Sequence, residues 1–196
     1  MIEFKAFGIK ISFDFSFFAT LALLMFLKDA EYIILGFYAC MLHEIGHLIL
    51  MNLAGGELEK ISFYGAGIKI VPTHKIMHFF KDILILLGGP LANFIAFSVA
   101  FLLSFKNNDI LIFAFMNLTV GIFNLLPFKA FDGGRILDLI FGNFLSIQNA
   151  SKAAMILKIL CVFLIGIFFC FFIINKSGNI TLYLTVLYFL VCEIFA

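Results

Sequence analysis

Charge is what this sequence has least of. Only 13% of its 196 residues are Asp, Glu, Lys or Arg, 64% are hydrophobic, and the mean hydropathy is +1.16. That balance lies outside the range of soluble domains and excludes a water-soluble globular class. A net charge of +1, with no basic cluster, excludes a nucleic-acid surface, which must neutralise several phosphates. Cys40, Cys161, Cys170 and Cys192 lack the close CxxC spacing of thiolate metal sites. They read as small buried hydrophobes and carry no information on redox compartment. No small-residue cleavage site follows the first apolar run, so no cleaved signal peptide is expected. Internal repeats, low-complexity linkers and a second soluble domain are also missing. The expectation is one integral membrane domain over residues 1–196 in a lipid bilayer.

The fold class expected is an all-α polytopic membrane protein of about six transmembrane helices with a small membrane-associated sheet. A span needs roughly 20 apolar residues. Runs of that kind fall at about residues 13–27, 32–54, 82–105, 110–126, 153–174 and 180–196. A short surface helix is expected over Ile136–Ser146, with the polar stretch Asn143–Lys152 leaving the bilayer. Met1–Ser12 alternates apolar and charged residues like a strand, broken once at Ala6-Phe7-Gly8. Glu57–Pro72 alternates around Tyr64-Gly65-Ala66-Gly67 and reads as a β-hairpin, with the N-terminal strand beside it. An edge strand there would suit an extended peptide; a plain connecting hairpin is the other reading. Nine Lys and Arg side chains lie in the loops on one side (Lys5, Lys10, Lys60, Lys69, Lys75, Lys81, Lys129, Arg135, Lys152) against three on the other (Lys28, Lys106, Lys176). The positive-inside rule then puts both termini and the hairpin in the cytoplasm.

The polar exception is His43-Glu44-Ile45-Gly46-His47, close to the middle of the second span. An ionisable group at the bilayer centre costs roughly 2.5–3.5 kcal/mol on insertion scales, so it marks function. Residues i and i+4 share a helix face, so His43 and His47 can bind one Zn²⁺ with Glu44 beside it as base. His74 and His78 repeat the spacing without an intervening Glu, in a lysine-bearing loop after Pro72, and read as a solvated interfacial pair.

A catalytic zinc takes three protein ligands and leaves one position open. The acids at suitable depth are Asp132, Asp14, Asp138 and Glu193. Asp14 reads as an interfacial residue. Asp132 follows a span end and precedes Gly133-Gly134, which let the backbone approach closely. By spacing alone it is a helix N-cap or turn, or a carboxylate turned towards a metal, and it is the best third ligand of the four. Gly88, Gly89 and Pro90 in mid-span read as close-packing and helix-weakening residues. Asn93 is either a packing amide or one that orients a group in the site.

Three motifs in order, His43-Glu44-Ile45-Gly46-His47, Gly88-Gly89-Pro90-Leu91-Ala92-Asn93, and Asn124-Leu125-Leu126-Pro127 with Asp132-Gly133-Gly134, resemble the site-2 protease family of intramembrane zinc metalloproteases. The resemblance covers roughly residues 1–150. It implies a six-span fold, one Zn²⁺ per chain held by His43, His47 and Asp132, and Glu44 as catalytic base. It further implies a substrate contact at Asn124 beside Pro127, with Gly89, Pro90, Asn93 and Gly133 in support. The small form with an N-terminal strand looks like the sporulation factor IVB class. Such enzymes cut a membrane-associated pro-sigma factor and are restrained by inhibitory membrane partners, so the partners expected here are a membrane protein substrate, such as a pro-sigma or anti-sigma factor, and inhibitory membrane proteins. The implied location is a bacterial cell membrane or the membrane around the forespore. These 196 residues contain neither the nucleotide-sensing CBS domain of that class nor the PDZ insertion of the envelope-stress branch. A metal-ion transporter or sensor using the same ligands is the competing class, but it typically shows symmetry between halves, and none is seen.

Overall fold

The structure, a computed structural model, describes residues 2–6, 9–25, 30–56, 58–64, 67–72, 78–106 and 108–174. The expected sixth span at 180–196, its Glu193 and Cys192, and His74 lie outside these residues.

The alternating N-terminus makes two strands where one was expected. β1 (Ile2–Ala6) and β2 (Ile9–Phe13) pair antiparallel, with Phe4 opposite Ile11, and the break in alternation falls between them. β3 (Leu58–Tyr64) and β4 (Gly67–Pro72) form the expected hairpin. β2 joins β3 in parallel, giving one four-stranded sheet in the order β1-β2-β3-β4. In-register partners bind across that parallel pair. The Ser12 and Ser62 hydroxyls lie 2.9 Å apart, and the Phe13 and Phe63 rings stack at 4.5 Å. Phe17 meets Phe63 edge-on at 5.6 Å and tilts against Phe37 at 6.4 Å, joining the sheet to the first two helices. Lys60 donates to the Glu3 carboxylate at 2.7 Å, clasping β3 to the edge strand β1.

α1 (Phe15–Met25) starts at a cap: the Ser16 amide donates to Asp14 Oδ1 at 2.9 Å, which satisfies one unpaired donor of the first turn. α2 (Ala30–Leu53) ends where Gly55 takes φ +79 and Lys81 donates to the Ala54 carbonyl at 2.8 Å, a cation at the negative helix end. α3 (Phe79–Leu103) runs unbroken through Pro90, starts three residues earlier than the third apolar run, and passes by a 3-10 turn at Ser104–Lys106 towards α4 (Asn108–Asn124).

Glycine sets the spacing of these helices. A Cβ on Gly88 would stand 2.6 Å from the Gly46 carbonyl oxygen, so α2 and α3 meet backbone against backbone. A Cβ on Gly121 would stand 2.9 Å from the Phe94 ring, so on α4 it is a side chain of α3, and not its backbone, that fills the glycine's space. The α4 residues Ala114, Asn117 and Gly121 are buried at spacings of three and four, which is one helix face.

The chain divides into two compact units, Met1–Phe123 and Asn124–Ala196. The second contains α5 (Asp132–Phe144) and α6 (Ile147–Ile174). α6 begins six residues before the fifth apolar run. Within the polar Asn143–Lys152 stretch α5 ends at Phe144 and α6 begins at Ile147, where the Ala150 amide donates to the Ser146 carbonyl at 2.8 Å.

Apart from Met51 and Phe128, the buried side chains among the described residues are polar or small, while many Leu, Ile and Phe side chains are exposed. Tyr32–Leu53, Phe79–Leu103 and Ile147–Ile167 are each long and apolar enough to cross a membrane. At 1.5 Å per residue the 22 residues of the first span about 33 Å, matching a hydrocarbon core of about 30 Å. Cys40 is exposed and Cys161 half-buried, so neither is the protein-buried hydrophobe expected; both lie on outward faces of apolar helices.

Candidate metal centre

His43 and His47 sit one turn apart on α2, and their rings meet α3 at Gly89. A Cβ at Gly89 would lie 2.6 Å from His43 Nε2 and would overlap His47 Nε2 as well, so the absent side chain is the space the imidazoles fill. His43 is 5% exposed; His47 is half-buried.

Both rings are anchored through Nδ1. His43 Nδ1 lies 2.7 Å from Asn93 Oδ1, and His47 Nδ1 lies 2.7 Å from the Ile85 carbonyl oxygen. A carbonyl only accepts, so His47 Nδ1 carries the proton. The Gly89 amide, 3.3 Å from the same nitrogen, is then a neighbour and not its donor. Asn93 is oriented by its other end: Nδ2 donates to the Ala39 carbonyl at 2.9 Å and to Asn117 Oδ1 at 3.0 Å. Its Oδ1 therefore faces His43, which also carries its proton on Nδ1.

With both protons on Nδ1, the two Nε2 atoms present lone pairs to each other across 3.1 Å. No hydrogen lies between them, so this contact is not a hydrogen bond in that tautomer. The donor set fits a divalent metal: neutral imidazoles, each with its second nitrogen bonded to a carbonyl or amide oxygen, are the usual state of zinc-ligating histidine.

The second unit is organised around a tight turn. The Phe128 amide donates to the Leu126 carbonyl at 2.8 Å and the Phe131 amide to the Phe128 carbonyl at 2.9 Å, and the Phe128 ring is fully buried. Asp132 is the first residue of α5 and is 7% exposed. The N-cap is Phe131, with extended backbone and no side-chain cap bond. Asp132 is thus a first-turn residue and not the N-cap that its spacing also allowed. Gly133 and Gly134 are needed because a Cβ on either would run into the backbone of Leu125 or Phe128.

Among the acids weighed as a third ligand, Asp14 is engaged as the cap of α1 and Asp138 is exposed. His43 and His47 each offer one ring nitrogen to a metal ion, and Asp132 is a buried carboxylate at the start of α5. Glu44 is half-buried on α2, next to His43. His78 is exposed just before α3 and makes no side-chain cap. Asn124 is the last residue of α4, and Pro127 lies in the turn that follows. The residue that sequence reasoning missed is Asn117. A lone amide in the middle of an apolar helix was the available signal.

Residues 106–167 match the model of peptidase family M50. The chain is 26% identical over 117 residues to stage IV sporulation protein FB of Bacillus subtilis, an alignment covering 57% of this chain and 41% of that one. It is 31% identical over 166 residues to a zinc metalloprotease of Methanocaldococcus jannaschii, covering 77% of this chain and 48% of that one. The chain thus spans less than half the length of these curated relatives. Among solved structures, the site-2 protease from Methanocaldococcus jannaschii matches with a TM-score of 0.63 at 27% identity, covering 95% of this chain and 90% of that chain.

Proposed function

From the premise that the chain carries a site-2 protease domain of peptidase family M50, we propose that it is an intramembrane zinc endopeptidase. The observation that carries this reading is the His43–His47 pair, each anchored at Nδ1 and aiming Nε2 at one point from the middle of an apolar helix. One zinc ion per chain would be held by His43, His47 and Asp132. When bound, the metal would supply an electrophile that lowers the pKa of water to about 7.

The chain's own residues supply the rest. Glu44 removes a proton from the water that attacks the peptide carbonyl and delivers it to the departing amine nitrogen. The anchors on Asn93 and Ile85 hold both imidazoles in one orientation through that cycle. Asn124 and Pro127 receive the substrate backbone near the scissile bond. The apolar outer faces of α2 and α3 keep bulk water from the site.

The substrate class is a membrane-embedded or membrane-tethered protein. A pro-sigma or anti-sigma factor is the form that the resemblance to the sporulation factor IVB class implies, and one relative is named for stage IV sporulation. Inhibitory membrane partners, and termini on the cytoplasmic face of a bacterial membrane, belong to the same reading. Glu44→Gln in the full chain, co-expressed with a tagged membrane-tethered sigma-factor precursor, tests it. Loss of cleavage with zinc still bound is expected, because Glu44 is not a ligand; continued cleavage would refute the mechanism.

A further inference from the structure

We propose that Asn117 is a positioning residue for the metal centre, acting through Asn93 to select the tautomer of His43 that can bind metal; this rests on reading the histidine pair as a metal site. Asn117 lies in mid-α4 and is fully buried. A buried amide is costly unless both of its ends are bonded, and here both are. Its Nδ2 donates to the Phe113 carbonyl one turn back at 2.9 Å. Because that carbonyl cannot donate, the amide has one orientation, and Oδ1 must point the other way.

There it accepts from Asn93 Nδ2 at 3.0 Å. Asn93, also fully buried, thereby has both N–H groups spoken for, by Asn117 Oδ1 and the Ala39 carbonyl. What remains for His43 is Oδ1, at 2.7 Å from Nδ1. The order of constraint runs from α4 through α3 to α2: a backbone carbonyl fixes Asn117, Asn117 fixes Asn93, and Asn93 puts the His43 proton on Nδ1.

Reversing the Asn93 amide would present an N–H to His43 Nδ1. The ring would then have to accept there and carry its proton on Nε2, where a metal could not bind. With Asn117 gone, the Ala39 carbonyl is the acceptor left to Asn93 Nδ2 among the described residues, and one bond in place of two opposes that reversal. Asn117 supplies no ligand, yet it decides whether one exists. Losing a hydrogen bond that orients a ligating histidine typically costs about 10–100-fold in metal affinity.

Two variants of the full chain in detergent test this. Asn117→Leu keeps the branched shape and removes the amide. Asn117→Ser keeps a bond to the Phe113 carbonyl but is too short to reach Asn93. Nitrogen-15 NMR of the zinc-free protein reads which ring nitrogen of His43 is protonated, and chelator competition reads zinc affinity. The Leu and Ser variants are expected to shift His43 towards Nε2–H and lose about 10–100-fold in zinc affinity. A folded Leu or Ser variant with Nδ1–H and wild-type affinity overturns the proposal, and the Ser variant decides the matter should Leu fail to fold. Failure of the wild type itself to bind zinc would sink the metal reading, while the tautomer comparison would still judge the relay.

Discussion

Gly46 on α2 and Gly88 on α3 occupy one another's side-chain space: a Cβ on Gly46 would lie 2.6 Å from Ala92 Cβ and 2.8 Å from the Gly88 carbonyl carbon. This contact lets the rings of His43 and His47 reach α3 at all. Gly88→Ala must push the helices apart, since the obstacle is backbone and not a flexible side chain. Overpacking costs typically about 1–3 kcal/mol. A loss of that size in detergent unfolding is expected, together with lower zinc occupancy. Wild-type stability would mean that the two helices are not held by this contact.

Gly89→Ala tests the seat of the imidazoles more directly. The added methyl would fall on both Nε2 atoms, so at least one ring must leave its anchor. Each lost hydrogen bond costs about 0.5–1.5 kcal/mol. Helix content by circular dichroism should survive, while zinc per chain, read by elemental mass spectrometry, should fall to a small fraction of wild type. Full occupancy would mean that the rings are not seated over Gly89.

Asp132→Asn separates a ligand from a helix-dipole residue. The N-cap of α5 is Phe131, without a side-chain bond, so removing the charge costs the helix about 0.3–1 kcal/mol through the macrodipole. Under the proposed chemistry zinc content and cleavage fall together, far beyond what that small destabilisation explains. An unchanged metal stoichiometry would leave Asp132 as a first-turn acid only.

The sheet has its own pH dependence. The Lys60 ammonium, hydrogen-bonded to Glu3 and attracting it, holds that carboxyl below its ordinary value of 4.5. A depressed carboxylate stabilises the fold above its unfolded pKa, and the contribution fades as pH falls through the folded value. Glu3→Gln should therefore loosen β1 slightly near pH 6 and make no difference at strongly acid pH. Amide exchange of Phe4 and Lys5 at the two pH values checks this; a difference that persists in acid would assign the effect to something other than the ion pair.

Much of the site could be read from one dimension because it depends on short spacings. The i, i+4 histidines need only a helix to share a face, and the membrane character of Tyr32–Leu53 needs only composition. The hairpin at β3 and β4 was legible for the same reason, as strand alternation is local. The N-terminus was half legible: alternation marked strand, but the doubling back into β1 and β2, and the parallel pairing of β2 with β3, are long-range choices. Cys40 was misplaced because an apolar residue on a lipid-facing helix has no need of a protein core.

Sequence by itself determined the membrane-protein class of this chain and that a histidine pair with a glutamate between them sits in the middle of an apolar helix, since hydropathy and helical period are properties of neighbouring residues. Tertiary structure alone decided what makes those histidines usable. Gly46 against Gly88, the open space at Gly89, and the Asn117–Asn93–His43 order of hydrogen bonds join residues 24 to 50 positions apart. Proton placement on an imidazole follows from whichever oxygen faces its other nitrogen, and only the packing of α2, α3 and α4 puts that oxygen there.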